Sequence, residues 1–295
     1  MGIEEIRVID CFPYNGELIA EYRLKYLYDV VDAFVIVESR ETYSGVRKNE
    51  LFFEKNRAIF EPYMDKIYLV TIDDFPEPSD AFVRDVVPRF DWMKTVSINA
   101  WWRELYQRQV GEDFVKAQWQ DKRYVLLAGD VDEIPRVELL KEAGLLYPQF
   151  SDGPVYLGMD FFYYNFNWLK REKWFYAMLL NDISMQTCSL SAMRLSGRRL
   201  RVIENAGWHC SYFASRDELR RKLESFSHME FNNDNFKTDE HLDNCFYNGK
   251  DIVGRGGNED LVANTSMNEL PEWWQDIQNC LINLQKLEKN EESHP

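Results

Sequence analysis

The residues best suited to chemistry lie together at 130–135, as Asp130-Val131-Asp132-Glu133-Ile134-Pro135, directly after the apolar run Tyr-Val-Leu-Leu-Ala at 124–128. Two carboxylates one residue apart are hard oxygen donors, a set that suits Mg²⁺ or Mn²⁺. Such a cation bridges paired phosphates, as in a nucleotide sugar, and offsets the charge that builds on a departing diphosphate. Gly129 allows close backbone approach, and Pro135 stops the strand. A bare Asp-x-Asp has other readings, including a solvated acidic turn or a helix cap. Phosphotransferases of the haloacid dehalogenase type also set Asp-x-Asp after a strand, but they want Thr or Val two residues beyond the second Asp. Here Glu133-Ile134-Pro135 follows instead. A Walker A loop and a Gly-x-Gly-x-x-Gly fingerprint are both missing from the sequence.

The elements that must position these residues can be read from periodicity. Apolar or β-branched runs at 6–12, 33–37, 66–72 and 123–128 predict four strands. Between them, 17–28 carries Leu18, Tyr22 and Leu27 at helical spacing, and 96–110 reads as a second helix. Strands alternating with helices predict an α/β protein with a Rossmann-like open, mainly parallel sheet flanked by helices. Ligands of such sheets bind beyond the carboxyl ends of the strands, which is where Asp130 and Asp132 fall. The second half is mixed and aromatic-rich: 155–168 is dense in aromatics, 200–213 is strand-like, and 215–226 reads as a helix with Arg and Lys on a polar face. A single domain over 1–280 is expected, with a nucleotide-sugar half at about 1–135 and an acceptor half at about 136–280. Residues 281–295 read as a terminal helix or tail.

Composition narrows the partners. A formal net charge of −15 excludes nucleic acid, which needs a basic face. An acidic protein can still bind a nucleotide diphosphate through a divalent cation. The five cysteines show no Cys-x-x-Cys spacing, so neither a zinc ribbon nor a redox motif is indicated, and a reducing compartment is expected. The start, Met1-Gly2-Ile3-Glu4-Glu5, has neither a basic region nor an apolar one, and no run of ~18 apolar residues occurs. No integral membrane segment and a cytoplasmic location are the expectations.

Five ordered segments make the pattern specific: Asp10-Cys11-Phe12-Pro13-Tyr14-Asn15-Gly16-Glu17, Tyr28-Asp29-Val30-Val31-Asp32 leading to Val35-Ile36-Val37-Glu38-Ser39, Gly129 through Pro135, Ala206-Gly207-Trp208-His209, and Ser225-Phe226-Ser227-His228. On these the chain resembles glycosyltransferase family 17, which includes the animal enzyme that adds the bisecting N-acetylglucosamine to N-glycans. The resemblance spans roughly residues 6 to 255. It implies a GT-A fold, a UDP-N-acetylglucosamine-type donor, Mn²⁺ or Mg²⁺, and inversion at the anomeric carbon. The membrane anchor and Golgi address of the animal members are not seen, so an acceptor other than an N-glycan is expected.

The resemblance also implies roles. Asp132 would ligate the metal, and Asp130 would contact ribose or metal-bound water. Glu133 would support them, or would act only on the dipole of a following helix. His209 is the candidate third ligand beside Asp130 and Asp132, with His228 competing. Asn15, Glu17 and Glu38 fall where a GT-A fold holds the nucleoside base. Arg47 and Lys48 are placed to cover the diphosphate, and Arg103 and Arg108 to steady the donor or Asp130. Trp168, Trp174 and Trp208 are candidate sugar-stacking rings. An inverting transfer needs a carboxylate to take the acceptor proton, for which Asp160 and Glu230 are both candidates. The reading is a metal-dependent inverting glycosyltransferase acting from a UDP-sugar onto a glycan or glycoconjugate. The alternatives are a catalytically silent carbohydrate-binding protein of the same fold and a metal-dependent phosphohydrolase. A repulsive carboxylate cluster is expected to need a bound cation, which weighs against the silent protein.

Overall fold

The computed structural model describes residues 5–90, 93, 97–196, 201–254, 261–266 and 269–292. Four parallel strands form the heart of the sheet: β1 (Arg7–Pro13), β2 (Ala33–Ser39), β3 (Ile67–Ile72) and β4 (Tyr124–Ala128). Their spatial order is β3-β2-β1-β4, as the alternation of strands and helices requires. Pro13 lies opposite Val37, and Cys11 opposite Ala128, so the carboxyl ends of β1, β2 and β4 share one edge.

The two faces of β1 follow the two-residue period of a strand. Val8 and Phe12 pack with Ile19, Ala20, Leu24 and Leu27 of helix α1 (Ile19–Leu27). Ile9 and Cys11 turn to the other face, against helix α2 (Ile98–Gln118). Each large side chain fully buried here contributes roughly 1.5–3 kcal/mol. The side chain of Ser97 caps α2 by accepting from the Ala100 N–H, and the helix runs well past the expected end at residue 110. Its expected first residue, Val96, lies outside the described residues. Gly111 lets α2 sit close to the sheet, because a Cβ there would lie 2.9 Å from both Cys11 Sγ and Val37 Cγ2.

The second half extends the same sheet with mixed polarity. It supplies β5 (Glu133–Pro135), β6 (Val155–Tyr163), β7 (Trp168–Lys170), β8 (Met178–Asn181), β9 (Val202–Ser211) and β10 (Leu261–Ala263). β8 runs antiparallel to β4 and to β6, while β6 pairs in parallel with β9, and β9 antiparallel with β5. The expected open, mainly parallel core sheet with a mixed, aromatic-rich second half is therefore present, consistent with a GT-A-like fold.

Helix α3 (Leu190–Leu195) packs on α2, and helix α4 (Arg216–Ser225) starts with a capping box between Ser215 and Glu218. The basic residues of α4 do not form a solvated face. Arg216 is buried and bonds Gln285, and Arg220 pairs with Asp217 and Asp239. Helix α5 (Asp239–Asn248) follows, and the last helix, α6 (Trp274–Glu292), begins earlier than residue 281. It buries Ile277, Leu281 and Gln285, which anchor it to the core. No helix among the described residues is long and apolar enough to cross a membrane.

Candidate functional site

The acidic turn leaves β4 at the shared strand edge and is held from below by a residue not singled out in the sequence. Arg23, fully buried on α1, bonds both oxygens of Asp10 at 2.8 and 2.7 Å. Its Nη1 donates to the carbonyl oxygens of Asp130, Val131 and Glu133 at 3.1, 3.3 and 2.6 Å. The signal was present, because Arg23 lies in the stripe Ala20, Arg23, Leu24, Leu27 that α1 buries, and a buried arginine must be paired.

Glu133 is buried beneath the turn. Its Oε2 accepts the Asp130 N–H at 2.9 Å, and its Oε1 accepts the Trp174 Nε1–H at 2.5 Å. Gly129 is required here: a Cβ would stand 2.6 Å from Glu133 Oε2. Asp130 is clamped between two arginines, Arg108 of α2 at 2.6 Å and Arg194 of α3. Arg194 also reaches Glu133 at 2.8 Å. Burial opposes ionisation of Asp130, but Arg108 and then Arg194 outweigh it and hold its carboxyl below the usual range.

Asp132 faces the other way. The β5–β9 ladder sets Glu133 opposite His209, and the Cys210 N–H donates to the Asp132 carbonyl at 2.8 Å, which brings His209 beside Asp132. His209 Nε2 stands 3.5 Å from Asp132 Oδ1, longer than an ordinary hydrogen bond. The imidazole packs on Phe161 (centroids 4.5 Å) and Trp174 (4.2 Å), and its buried Nδ1 has no partner among the described residues. Lys222 of α4 lies 3.3 Å from Asp132 Oδ2. Burial again opposes ionisation of Asp132, yet Lys222 and then His209 hold its carboxyl well below the usual range.

Three carboxylates thus meet three cations: Asp130 and Glu133 with Arg108 and Arg194, and Asp132 with Lys222. These side chains offset the repulsion within the cluster. Among the described residues, no group of three or more His, Cys, Asp and Glu side chains is arranged to hold a metal. Asp132 and His209 nonetheless present one oxygen and one nitrogen toward each other. An oxygen and a nitrogen are both donor types that a divalent cation accepts. Asp130 does not offer itself in the same way, because each of its oxygens faces an arginine.

The remaining candidates divide. Asn15 bonds Ser225 Oγ at 3.2 Å, and its N–H donates to Glu17 at 2.7 Å. Glu17 lines a cleft of about 410 Å³ with Asp132, Tyr212, Arg221 and Lys222, and burial pushes its carboxyl up. Glu38 is fully buried and spent on structure, accepting the N–H groups of Phe52 and Phe53 and pairing with Lys48 at 3.1 Å. Burial lowers the Lys48 ammonium. Arg47 turns outward to Asp74 at 2.6 Å, and Arg103 holds the 41–45 loop through Glu41 and the Tyr43 carbonyl.

Trp208 is a core residue on the face of β9 opposite His209, its Nε1 bonding the Glu269 carbonyl at 3.0 Å. Trp168 likewise bonds the Phe246 carbonyl at 2.8 Å. Asp160 precedes Phe161 on β6, so it faces away from His209, and it pairs with Lys173. Glu230 pairs with His228 at 2.8 Å, and the His228 ring meets Trp101 of α2. Ser227, just before His228, bonds Glu104, which also holds Arg108 at 3.0 Å. That links the 227–230 segment to the clamp around Asp130.

A second cleft, of about 360 Å³, lies on the α2 side of the turn, lined by Arg108, Arg194 and Gly129 and by apolar side chains of β1, β2 and β4. The comparisons can be set against this geometry. No match was found among curated proteins. The description of glycosyltransferase family 17 matches residues 3–258, which contain every element of the site described here, and the chain belongs to that family.

Proposed function

We propose that the chain moves a sugar, with N-acetylglucosamine the first candidate, from a UDP-sugar to a hydroxyl of a glycan or glycoconjugate. The transfer is an inverting, direct displacement assisted by Mn²⁺ or Mg²⁺. The observation that carries this reading is the convergence of Asp132 and His209 at the carboxyl edge of a parallel sheet, in a member of a glycosyltransferase family. These two side chains would hold the cation, which when bound supplies charge stabilisation to the departing diphosphate.

The chain's own groups do the rest. Arg23 and Glu133 fix the turn, so that Asp132 meets the donor without reorganisation. Glu230 is the preferred base of the two candidates, because its segment is tied to the Asp130 clamp while Asp160 faces away. It takes the proton of the acceptor hydroxyl as that oxygen bonds the anomeric carbon and the bond to the diphosphate breaks.

One observation favours a second reading, a catalytically silent sugar-binding protein: Lys222 already neutralises Asp132. Calorimetry separates the two. UDP titrated into the wild-type protein with Mn²⁺ should give binding heat that Asp132→Ala abolishes. Absence of heat in the wild type, together with metal-free glycan binding, would establish the silent protein instead.

A further inference from the structure

We infer that Lys222 and the divalent cation are alternative partners of Asp132, so that the ammonium must leave the carboxylate when the ion binds. Lys222 is then an internal competitor that sets how tightly the site takes its metal, a role that rests on the metal-assisted reading above.

Each oxygen of Asp132 already faces a side chain. His209 Nε2 stands 3.5 Å from Oδ1, and Lys222 Nζ donates to Oδ2 at 3.3 Å. The two neighbours differ in freedom. The His209 side chain is 6% exposed and packs on Phe161 and Trp174, whereas that of Lys222 is 31% exposed. Asp132 itself is 9% exposed, and a buried carboxylate stripped of its partner is strongly destabilising. Of the three, Lys222 is therefore the member able to swing into water, provided another cation takes its place. An ion bound to Oδ2 at the ~2.1 Å of a Mg²⁺–oxygen contact lies close to that ammonium, and like charges at such range repel.

The fold seats the ammonium deliberately beside the carboxylate. His209 and Lys222 arrive on one unit, β9 followed by α4, and the chain leaves β9 at Tyr212. Tyr212 is buried and has a φ of 60°, a left-handed conformation that is costly for a bulky side chain. Tyr163 and Tyr164 pack on its ring, with centroids 5.4 and 5.9 Å away. Lys222 Nζ lies 5.0 Å from the Tyr212 centroid, within cation–π range. Strain of this kind persists only where the surroundings impose it, and here it supplies the seat from which Lys222 reaches Asp132. Arg221 lines the same cleft but turns to the Gly16 carbonyl and the Phe52 ring, so it does not substitute for Lys222.

Mn²⁺ titrated with and without UDP into the wild type, Lys222→Met, Lys222→Arg and Asp132→Asn tests this, with free Mn²⁺ read by electron paramagnetic resonance. Without UDP, losing the charge-assisted contact should tighten Mn²⁺ binding about 10- to 100-fold in Lys222→Met. Lys222→Arg keeps a cation on the carboxylate and should stay near the wild type, and Asp132→Asn should bind most weakly. Lys222→Met should also melt below the wild type without metal and gain more from Mn²⁺. A second measurement needs no Lys222 variant: acetylation of Lys222 in the wild type, followed by mass spectrometry, should run faster in saturating Mn²⁺ than in EDTA. Equal or weaker Mn²⁺ binding by Lys222→Met would overturn the inference and leave the transferase reading intact. Should that variant not fold, Lys222 acetylation that saturating Mn²⁺ leaves unchanged would do the same. Tighter Mn²⁺ binding by Lys222→Met in a protein that binds no UDP would keep the competition and reject the donor. UDP binding in EDTA that Lys222→Met abolishes would make Lys222 the metal's substitute and overturn its role as competitor. No Mn²⁺ binding by any of the four proteins, with or without UDP, would remove the metal-assisted reading and the competition together.

Discussion

Arg23 grips Asp10 with both arms of its guanidinium, at 2.8 and 2.7 Å, at a point where neither side chain reaches solvent. The same guanidinium continues upward into three carbonyl oxygens of the acidic turn. Core and site are therefore one structure here: the pair that satisfies the buried charge of β1 also sets the height and direction of Asp130 and Asp132.

Removing the cation leaves Asp10 buried and unpaired. Arg23→Met should lower unfolding free energy by about 3–5 kcal/mol, the range for breaking a buried pair. Arg23→Lys keeps the charge but loses the fork, and should fall between the two. Urea unfolding measures the stability, and UDP titration of the folded Lys variant should show weakened binding.

Gly129 is the next constraint. A methyl group there meets Glu133 Oε2 at 2.6 Å, so Gly129→Ala must push the carboxylate away from the Asp130 N–H, Trp174 and Arg194. A loss of about 1–3 kcal/mol is expected, as for other overpacked sites. Thermal melting of this variant beside Gly144→Ala, where nothing lies within 4 Å, tests whether the effect is local.

Glu17 supplies a pH dependence with a definite sign. Burial raises its carboxyl in the folded protein, so folding favours the neutral acid. Its contribution is most favourable below the unfolded value of about 4 and is lost as pH rises through the higher folded value. Glu17→Gln should therefore melt a few degrees above the wild type at pH 8, with the gap closing as pH falls toward 4. Equal gaps across that range would show that Glu17 keeps its ordinary affinity for protons.

Much of the frame was legible from residue patterns. The β1, β2 and β4 runs are short, apolar and separated by helical spacing, so the parallel sheet and its carboxyl edge follow from local signals. Asp130 and Asp132 could be set at that edge for the same reason. What pairs with them could not be read. His209 reaches Asp132 only because β9 pairs with both β5 and β6, a contact across 77 positions that no local period encodes. Lys222 sits on a helix whose Arg and Lys residues read as a polar face, Arg194 lies in a stretch to which no element was assigned from periodicity, and only the tertiary packing turns both onto carboxylates. Trp208 illustrates the reverse error of proximity: it neighbours His209 in the chain, yet strand alternation sends it to the opposite face and into the core.

The most direct test of the account is a donor screen by saturation-transfer NMR in Mg²⁺, comparing UDP-N-acetylglucosamine with other UDP-sugars and with GDP- and ADP-linked sugars. The account predicts saturation on the uracil and ribose protons of UDP-sugars, abolished by EDTA and in Asp132→Asn. Saturation of a UDP-sugar that persists unchanged in EDTA and in Asp132→Asn, or none with any nucleotide sugar, would contradict it.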